Sequence, residues 1–281
     1  MALGVFQGRF GRVSVFETDQ PVHQHAHPQF HVVVKVGGAD GTYEIEGHGP
    51  CPVTDHRLML LNPWVAHANW RPAGGGRTTL LALYLEASWV RSRDGTSVRQ
   101  ALFREPSAAM TPRLREAADR LTDLLTSAES APGEAVEAVL QEALQAVVEG
   151  YGSGASLPAA PLFLDGRIRR AAAAMRARAR TGIDLDAVCR EVGLSRSRFY
   201  ERFRAGIGIP PRLYADGLRL EAAIEALAMS DRPLGDIALD LGFHEQGHFS
   251  RFFKEKTGFS PSTYRRAMSP VAAPTRGRAI A

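Results

Sequence analysis

Two stretches near the end of the chain repeat one another, and that repeat narrows the fold more than any other feature. "VCREVGLSRSRFYERFRAGIGIPPRLY", residues 188–214, returns as "IALDLGFHEQGHFSRFFKEKTGFSPSTY", residues 237–264. Val188 matches Ile237, and Gly193-Leu194 matches Gly242-Phe243, at an offset of 49. Phe199, Phe203, Gly208, Pro211 and Tyr214 then match Phe249, Phe253, Gly258, Pro261 and Tyr264 at an offset of 50, so one extra residue sits in the second turn. The matches fall on apolar, Gly, Pro and Tyr positions, which set packing and turns. Each copy reads as a short helix ending at a glycine, a corner plugged by an apolar residue, and a second helix burying two phenylalanines four residues apart. A plain helical bundle with a basic face is the competing reading, and tandem repetition of a helix-turn-helix pattern argues against it.

The polar positions of the second helices differ between the copies, as they would if each copy reads different bases. The first copy offers Arg196, Ser197, Arg198, Glu201 and Arg202; the second offers Glu245, Gln246, His248 and Arg251, flanked by Ser250 and Lys254. Arginine pairs with guanine and glutamine with adenine at major-groove edges, whereas Arg204, Lys254 and Lys256 suit phosphates. A helix from about Pro211 to Met229 joins the copies and would be roughly 28 Å long at 1.5 Å per residue. One turn of B-DNA is about 34 Å, so such a rod places both reading helices in successive major grooves of double-stranded DNA.

Charge is unevenly spread. Residues 1–150 hold 13 Lys and Arg against 17 Asp and Glu, whereas residues 151–281 hold 21 against 13. A polyanion partner is therefore expected for the second half only. With 44% hydrophobic and 23% charged residues the composition is that of a globular protein. The opening "MALGVFQGRF" lacks the apolar core of a signal peptide, no apolar run reaches the length of a membrane span, and Cys51 and Cys189 are too few for a disulfide framework. A cytoplasmic protein without membrane contact is expected.

The segment "GYGSGASLPAAP" reads as a linker, placed at 150–163. Before it, "FHVVVKV", "GTYEIEG", "RLMLLNP" and "TTLLALYL" are short strands between turns, which suggests a small barrel or sandwich over 1–95. A helical pair over 96–149 carries two stripes, Leu114, Ala118, Leu121 and Leu125, then Val136, Val139 or Leu140, Ala143 and Val147. These stripes pack either on their own domain or across a dimer interface. Residues 164–268 read as seven helices, at about 165–179, 184–192, 196–205, 210–229, 234–241, 245–256 and 261–267, with Asp184, Ser195, Asp231 and Ser260 near their starts. Residues 269–281 read as a disordered tail. The fold class expected is α+β and multidomain: a β-barrel with appended helices, then an all-α domain with two helix-turn-helix motifs.

Seven of the nine histidines lie between positions 23 and 67. His23, His25, His27 and His31 all occupy odd positions, which an extended strand points to one face, and "LLNPWVAH" can bring His67 in from a neighbour. Trp64, Trp70, Phe30 and Tyr43 are candidate walls of the same pocket, or core. Three or four imidazoles suit Zn²⁺, Fe²⁺, Ni²⁺ or Cu²⁺. They equally suit a metal-free small-molecule pocket, or histidines that are merely packed.

On the residues quoted above, 165–267 resembles the DNA-binding domain of the AraC/XylS family of bacterial transcription regulators, and "IALDLGFHEQGHFSRFFKEKTGFSPSTYRR", 237–266, resembles that family's signature. Gly247 and Glu201 depart from the residue types common there. The N-terminal part resembles the cupin-like sensor domain of many such regulators, with His25, His27, His31 and His67 at or near cupin ligand positions. The resemblance implies DNA contacts by Arg196, Ser197, Arg198, Glu201, Arg202, Arg204, Gln246, His248, Ser250, Arg251 and Lys254. It also implies an effector held by His23, His25, His27, His31, Trp64 and His67, activation through RNA polymerase, and a homodimer. A metal-dependent cupin enzyme fused to a DNA-binding module, and an architectural DNA binder with no effector, are the alternatives.

Overall fold

Alternation along one strand sets the layering of the N-terminal half. In β4 (Phe30–Gly38), Val32 and Val34 enter a core shared with helices, while Val33 enters a second core on the opposite face. The strand belongs to a six-stranded antiparallel sheet in the order β1-β2-β9-β4-β7-β10, whose other members are β1 (Ala2–Gly8), β2 (Gly11–Thr18), β7 (Arg57–Leu61), β9 (Thr78–Leu85) and β10 (Ser107–Ala109). A four-stranded antiparallel sheet, β3-β8-β5-β6, faces it, built from β3 (Val22–His25), β5 (Gly41–Ile45), β6 (Gly49–Val53) and β8 (His67–Trp70). The computed structural model describes residues 2–70, 76–94, 102–127, 133–152 and 165–268. The stretches read as linker and tail lie, apart from residues 150–152, outside the described residues.

The closed barrel expected from the strand spacing does not form. Among the described residues the two sheets share no ladder, so the strands make an open two-sheet arrangement. Closure needs tilt and stagger that join the last edge to the first, and here β1 and β10 instead end one sheet, β3 and β6 the other. Between the sheets lie Val33, Tyr43, Ile45, Val53, Met59, Leu61 and Leu80.

The outer face of the large sheet is covered by α1 (Ala87–Asp94), α2 (Pro112–Thr126) and α3 (Gly133–Tyr151). Thr111 caps α2 by accepting from the Leu114 amide, with Pro112 at the first helical position. Leu114, Ala118 and Leu121 of α2, and Val136, Val139, Leu140, Ala143 and Val147 of α3, are all buried with Val32, Val34, Leu81 and Leu83. The apolar stripes are therefore spent on this chain's own sheet. The outward faces carry ion pairs, Arg120–Glu142 at 2.7 Å and Arg113–Glu149.

The C-terminal domain is all helical: α4 (Gly166–Ala177), α5 (Leu185–Glu191), α6 (Arg196–Ile207), α7 (Pro211–Met229), α8 (Leu234–Asp240), α9 (Gln246–Thr257) and α10 (Pro261–Ala267). Asp184 caps α5 and Ser260 caps α10 through side-chain bonds. Ser195 precedes α6 without one, and Pro233, not Asp231, is the cap of α8. The corners of α5–α6 and α8–α9 turn on Gly193 (φ 66°) and Gly242 (φ 79°), a left-handed conformation that only glycine adopts without strain. Each pair has its own core: Phe199 and Phe203 with Tyr214 and Leu218, and Phe249 and Phe253 with Leu220, Ile224 and Leu227. One helix, α7, feeds both. Among the described residues no helix is long and apolar enough to cross a membrane.

The two domains meet along α7. A glycine inside a helix costs about 1 kcal/mol relative to alanine, and Gly217 has a packing reason to be there. A Cβ on it would lie 2.2 Å from the carbonyl oxygen of Ala26 in the sheet domain. Beside it Trp64 adopts φ 65°, donates its amide to the His27 carbonyl at 2.8 Å, and lays its ring 4.2 Å from that of Tyr214. A bulky residue with positive φ is held only where its surroundings over-determine it. Gly217→Ala is expected to lower the stability of the full chain by roughly 1–2 kcal/mol, because the clash with a fixed backbone oxygen outweighs the helix-propensity gain. Denaturant melts measure this, and an unchanged or raised midpoint would contradict the close approach.

Candidate functional site

Two arrangements of polar residues stand out: the outer faces of α6 and α9, and a buried cluster at the seam between the domains. On α6, burying Phe199 and Phe203 turns Arg196, Ser197, Arg198, Glu201, Arg202 and Arg204 outward, and all six are exposed. On α9, burying Phe249 and Phe253 exposes Gln246, His248, Arg251 and Lys254, with Ser250 half-buried. The two faces are thus presented from opposite ends of α7. Several arginines lean on surface carboxylates, Arg196 on Asp186 (2.8 Å), Arg202 on Asp165 (2.9 Å) and Arg204 on Glu46 (3.0 Å). Exposed pairs of this kind are worth about 0–1 kcal/mol, so a phosphate can displace them. Lys256 departs from the phosphate role expected of it. It is half-buried and donates Nζ to the Gln24 carbonyl of β3 at 2.6 Å, while burial first of all lowers its pKa.

The buried cluster is assembled by strand pairing. His25 at the end of β3 is the ladder partner of His67 at the start of β8, and their rings lie 4.2 Å apart. His27 follows β3, and His31, near the start of β4, stacks on Tyr84 of β9 at 4.2 Å. His25, His27, His31 and His67 are each at least nine-tenths buried. Burial, with repulsion from neighbouring rings, pushes the pKa of His25, His27 and His31 well below the ordinary histidine value; burial pushes His67 down to about 4. At neutral pH the cluster is a set of uncharged imidazoles.

Hydrogen bonds then fix which nitrogens carry lone pairs. His25 donates Nδ1–H to the His23 carbonyl at 3.0 Å, and His67 donates Nδ1–H to the Val65 carbonyl at 2.9 Å. A neutral ring that donates from Nδ1 offers a lone pair at Nε2. His27 Nε2 and His31 Nδ1 share one hydrogen bond at 3.2 Å. Among the described residues, His27 Nδ1, His31 Nε2 and His67 Nε2 are buried and find no hydrogen-bond partner, which is costly unless a ligand satisfies them. His25, His27 and His67 can each bring a ring nitrogen within 4.8 Å of the other two. The donor set therefore fits a divalent late first-row metal, with His31 standing behind His27.

These rings line a cavity of about 50 Å³ together with Tyr43, Tyr84, Arg12, Glu221, Lys256 and Tyr264. The cavity is closed by α7, α9 and α10, not by the sheet domain alone. Arg12 is 5% exposed, lies 4.0 Å over the ring of Tyr84, and pairs with Glu221 of α7 at 3.4 Å. Gln29 donates to the same Glu221 oxygen at 3.0 Å. Burial raises the Tyr84 and Tyr264 hydroxyl pKa values, so both stay protonated.

Not every expected residue reaches the cavity. His23 is exposed and contributes only its carbonyl, because a register shift between Val22 and His25 breaks the simple alternation. Trp64 packs on Tyr214 at the seam, and Phe30 belongs to the helix-side core against Phe103. The side chain of Trp70 lies outside the described residues. Arg12, Tyr84, Glu221 and Tyr264 were not anticipated. A signal existed for Arg12: in "GRVSVFE" it alternates with Val13 and Val15 and shares a face with Ser14 and Phe16, which also line the cavity.

Comparison with known proteins places this geometry. A family profile described as a helix-turn-helix domain matches residues 188–267. The arabinose operon regulatory protein of Escherichia coli is 34% identical over 85 residues, 30% of this chain and 29% of that protein. The raffinose operon transcriptional regulatory protein RafR of Pediococcus pentosaceus is 34% identical over 88 residues, 31% of this chain and 32% of that protein. The matches thus span about a third or less of the length of these curated relatives. Among solved structures, ToxT from Vibrio cholerae O395 superposes with a TM-score of 0.56 at 12% identity, covering 92% of this chain and 98% of that one. At that identity the likeness is one of fold, and it extends over both domains.

Glu221 is the carboxylate that neutralises Arg12 across the seam. Glu221→Ala is expected to cost about 2–3 kcal/mol, below the range for fully buried pairs because a fifth of its side chain remains exposed. Arg12→Met added to it is expected to recover much of that loss. Urea melts of the two single variants and the double variant close the cycle, and purely additive losses would show that the two side chains do not interact.

Proposed function

Since the chain belongs to the AraC/XylS family through its helix-turn-helix domain, we propose that it is a sequence-specific DNA-binding regulator of transcription. We further propose that a small molecule or metal ion in the seam cavity governs it. The observation that carries the reading is the matched pair of exposed polar faces on α6 and α9, held at the two ends of the shared helix α7. Each of α5–α6 and α8–α9 is a helix-turn-helix, with α6 and α9 in successive major grooves of double-stranded DNA. Arg196, Arg198, Glu201, Gln246, His248 and Arg251 meet base edges, and Arg204 and Lys254 meet phosphates.

The position of the cavity supports control by an effector. It lies between the sheet domain and α7, α9 and α10, so whatever fills it changes how α9 is held against the sheet domain. A ligand shifts such an equilibrium only by binding its two states differently, and a site made by both domains meets that condition. ToxT from Vibrio cholerae, which shares the fold, is described as bound to an unsaturated fatty acid in one crystal structure. The cavity here, of about 50 Å³, is lined by imidazoles, which favours a metal ion or a compact polar molecule. An enzyme would rest on the same imidazoles, but the carboxylate at the cavity, Glu221, is tied to Arg12 and Gln29. Activation through RNA polymerase, a cytoplasmic location and a homodimer complete the proposal. The dimer would use a surface other than the apolar stripes of α2 and α3.

The test is binding of the full chain to DNA from upstream of its own coding region, against scrambled DNA, by fluorescence anisotropy. Arg251→Ala is expected to weaken binding to the specific fragment by about 10–100-fold and to relax discrimination. Lys254→Ala is expected to weaken binding to both fragments alike and to lower the salt slope by about one. Equal affinity of the unaltered protein for both fragments would rule out sequence-specific regulation.

A further inference from the structure

We propose that Gly247 is a specificity-determining position of α9: its missing side chain leaves a notch that receives the C5-methyl group of a thymine in the major groove. The inference rests on the DNA-binding reading above, and adds to it a position and a base that the polar side chains do not account for.

Glycine is the least favourable residue inside a helix after proline, so its presence there needs a reason. Gly217 has one in the Ala26 carbonyl. Gly247 has none within the folded chain. It is the second residue of α9, it is exposed, and its φ lies outside the left-handed region that favours glycine. A Cβ built on it would meet nothing within 4 Å among the described residues. Neither backbone conformation nor packing therefore calls for the absence of a side chain. The repeat supplies an internal control. At the offset that aligns Phe199 with Phe249, Gly247 corresponds to Ser197, likewise exposed and likewise second in its helix. The same local fold carries a side chain at this position in one copy and none in the other.

Position on the helix says what the gap faces. At about 100° per residue, Arg251 projects opposite the mean direction of the buried Phe249 and Phe253, and Gly247 lies about 40° from it, one turn nearer the N-terminus. The N-terminal residues of a helix in the major groove are the ones that reach base edges. Gly247 thus stands at the point of closest approach, in a gap bounded by the exposed Gln246, His248 and Arg251. Phosphates are met by long basic side chains and need no such gap. Among the groups a base pair shows in the major groove, the thymine methyl is the apolar projection, and a bare helix backbone takes it in van der Waals contact at Cα. The contact carries sequence information without a hydrogen bond. Cytosine has no methyl to offer, and a purine turns hydrogen-bonding atoms toward a surface with no side chain to meet them.

A methyl removed from the DNA and a methyl added to the protein test this together. The shortest upstream fragment that the full chain binds specifically is prepared with each thymine in turn replaced by deoxyuridine, which lacks only the C5-methyl. In anisotropy the unaltered protein is expected to lose about 3–5-fold in affinity at one substituted position per bound chain, the worth of one methyl contact. Gly247→Ala is expected to bind the all-thymine fragment at least ~10-fold more weakly. Deoxyuridine at that same position, and at no other, is expected to restore most of the loss. Affinity for scrambled DNA should stay unchanged, and the urea midpoint of the variant should hold or rise, because the new Cβ meets nothing in the folded chain. Unchanged specific affinity in Gly247→Ala, an equal loss on scrambled DNA, or the lack of a compensating position overturns the thymine contact. A lowered midpoint overturns the openness of the position on which it depends. If the unaltered protein binds upstream and scrambled DNA alike, the regulatory reading fails and takes this proposal with it. Failure of compensation on specifically bound DNA sinks the proposal alone.

Discussion

The structure depends on α7 being buried on nearly every side. Tyr214, Ala215 and Leu218 belong to the core of the first helical pair, Leu220, Ala223, Ile224 and Leu227 to that of the second, and Gly217 lies against the sheet domain. Three packing neighbours each claim part of the helix, so its rotation is fixed by all three at once. That fixes the relation of α6 to α9, because each is packed on its own half of the same rod. It also fixes where the sheet domain can dock, because the notch at Gly217 lets the Ala26 backbone approach α7. Spacing of the two exposed polar faces and placement of the cavity are therefore consequences of one helix.

What could be read from residues alone follows the range of the interactions involved. The seven C-terminal helices were legible because their signals are local: Asp184 and Ser260 as caps, Gly193 and Gly242 as corners, and phenylalanines four apart. The strands β4, β5, β7 and β9 were legible from alternation and turn residues. Whether the strands close into a barrel was not, because closure depends on which edges meet, and no local pattern states that the sheet holding β3 stays separate from the sheet holding β1. The histidine cluster falls between these cases. His25, His27 and His31 were found by parity, but His23 was misassigned because a register shift reverses the face of a single residue. Trp64 escaped because its left-handed backbone turns the ring toward Tyr214. Arg12 and Glu221 lie 209 positions apart, and only the docking of the domains brings them together.

Burial at the seam is selective about charge. Arg12 is taken out of water, with the ring of Tyr84 on one side and Glu221 near its guanidinium. Beside it the imidazoles are held neutral by the same burial. Had they been charged, Arg12 and four imidazoliums would share one small cavity, and repulsion would open it. The neutral rings make the docked state possible, and their lone pairs are what remains available to a ligand.

The DNA contact proposed for Arg204 would link docking at the same seam to DNA binding. Arg204 lies on α6 among the residues proposed to face DNA, yet its partner Glu46 belongs to the sheet domain. Arg196 and Arg202 pair instead with Asp186 and Asp165 of the helical domain itself. Phosphate can displace all three carboxylates at small cost, but only at Arg204 does displacement remove a contact between domains. Coupling of this kind is reciprocal: whatever DNA gains by taking Arg204 is lost to docking, and whatever tightens docking weakens that phosphate contact. A weak surface pair therefore matters here for where it stands and not for its strength. It gives the sheet domain a hold on α6, while Lys256 and Gln24 give it a hold on α9.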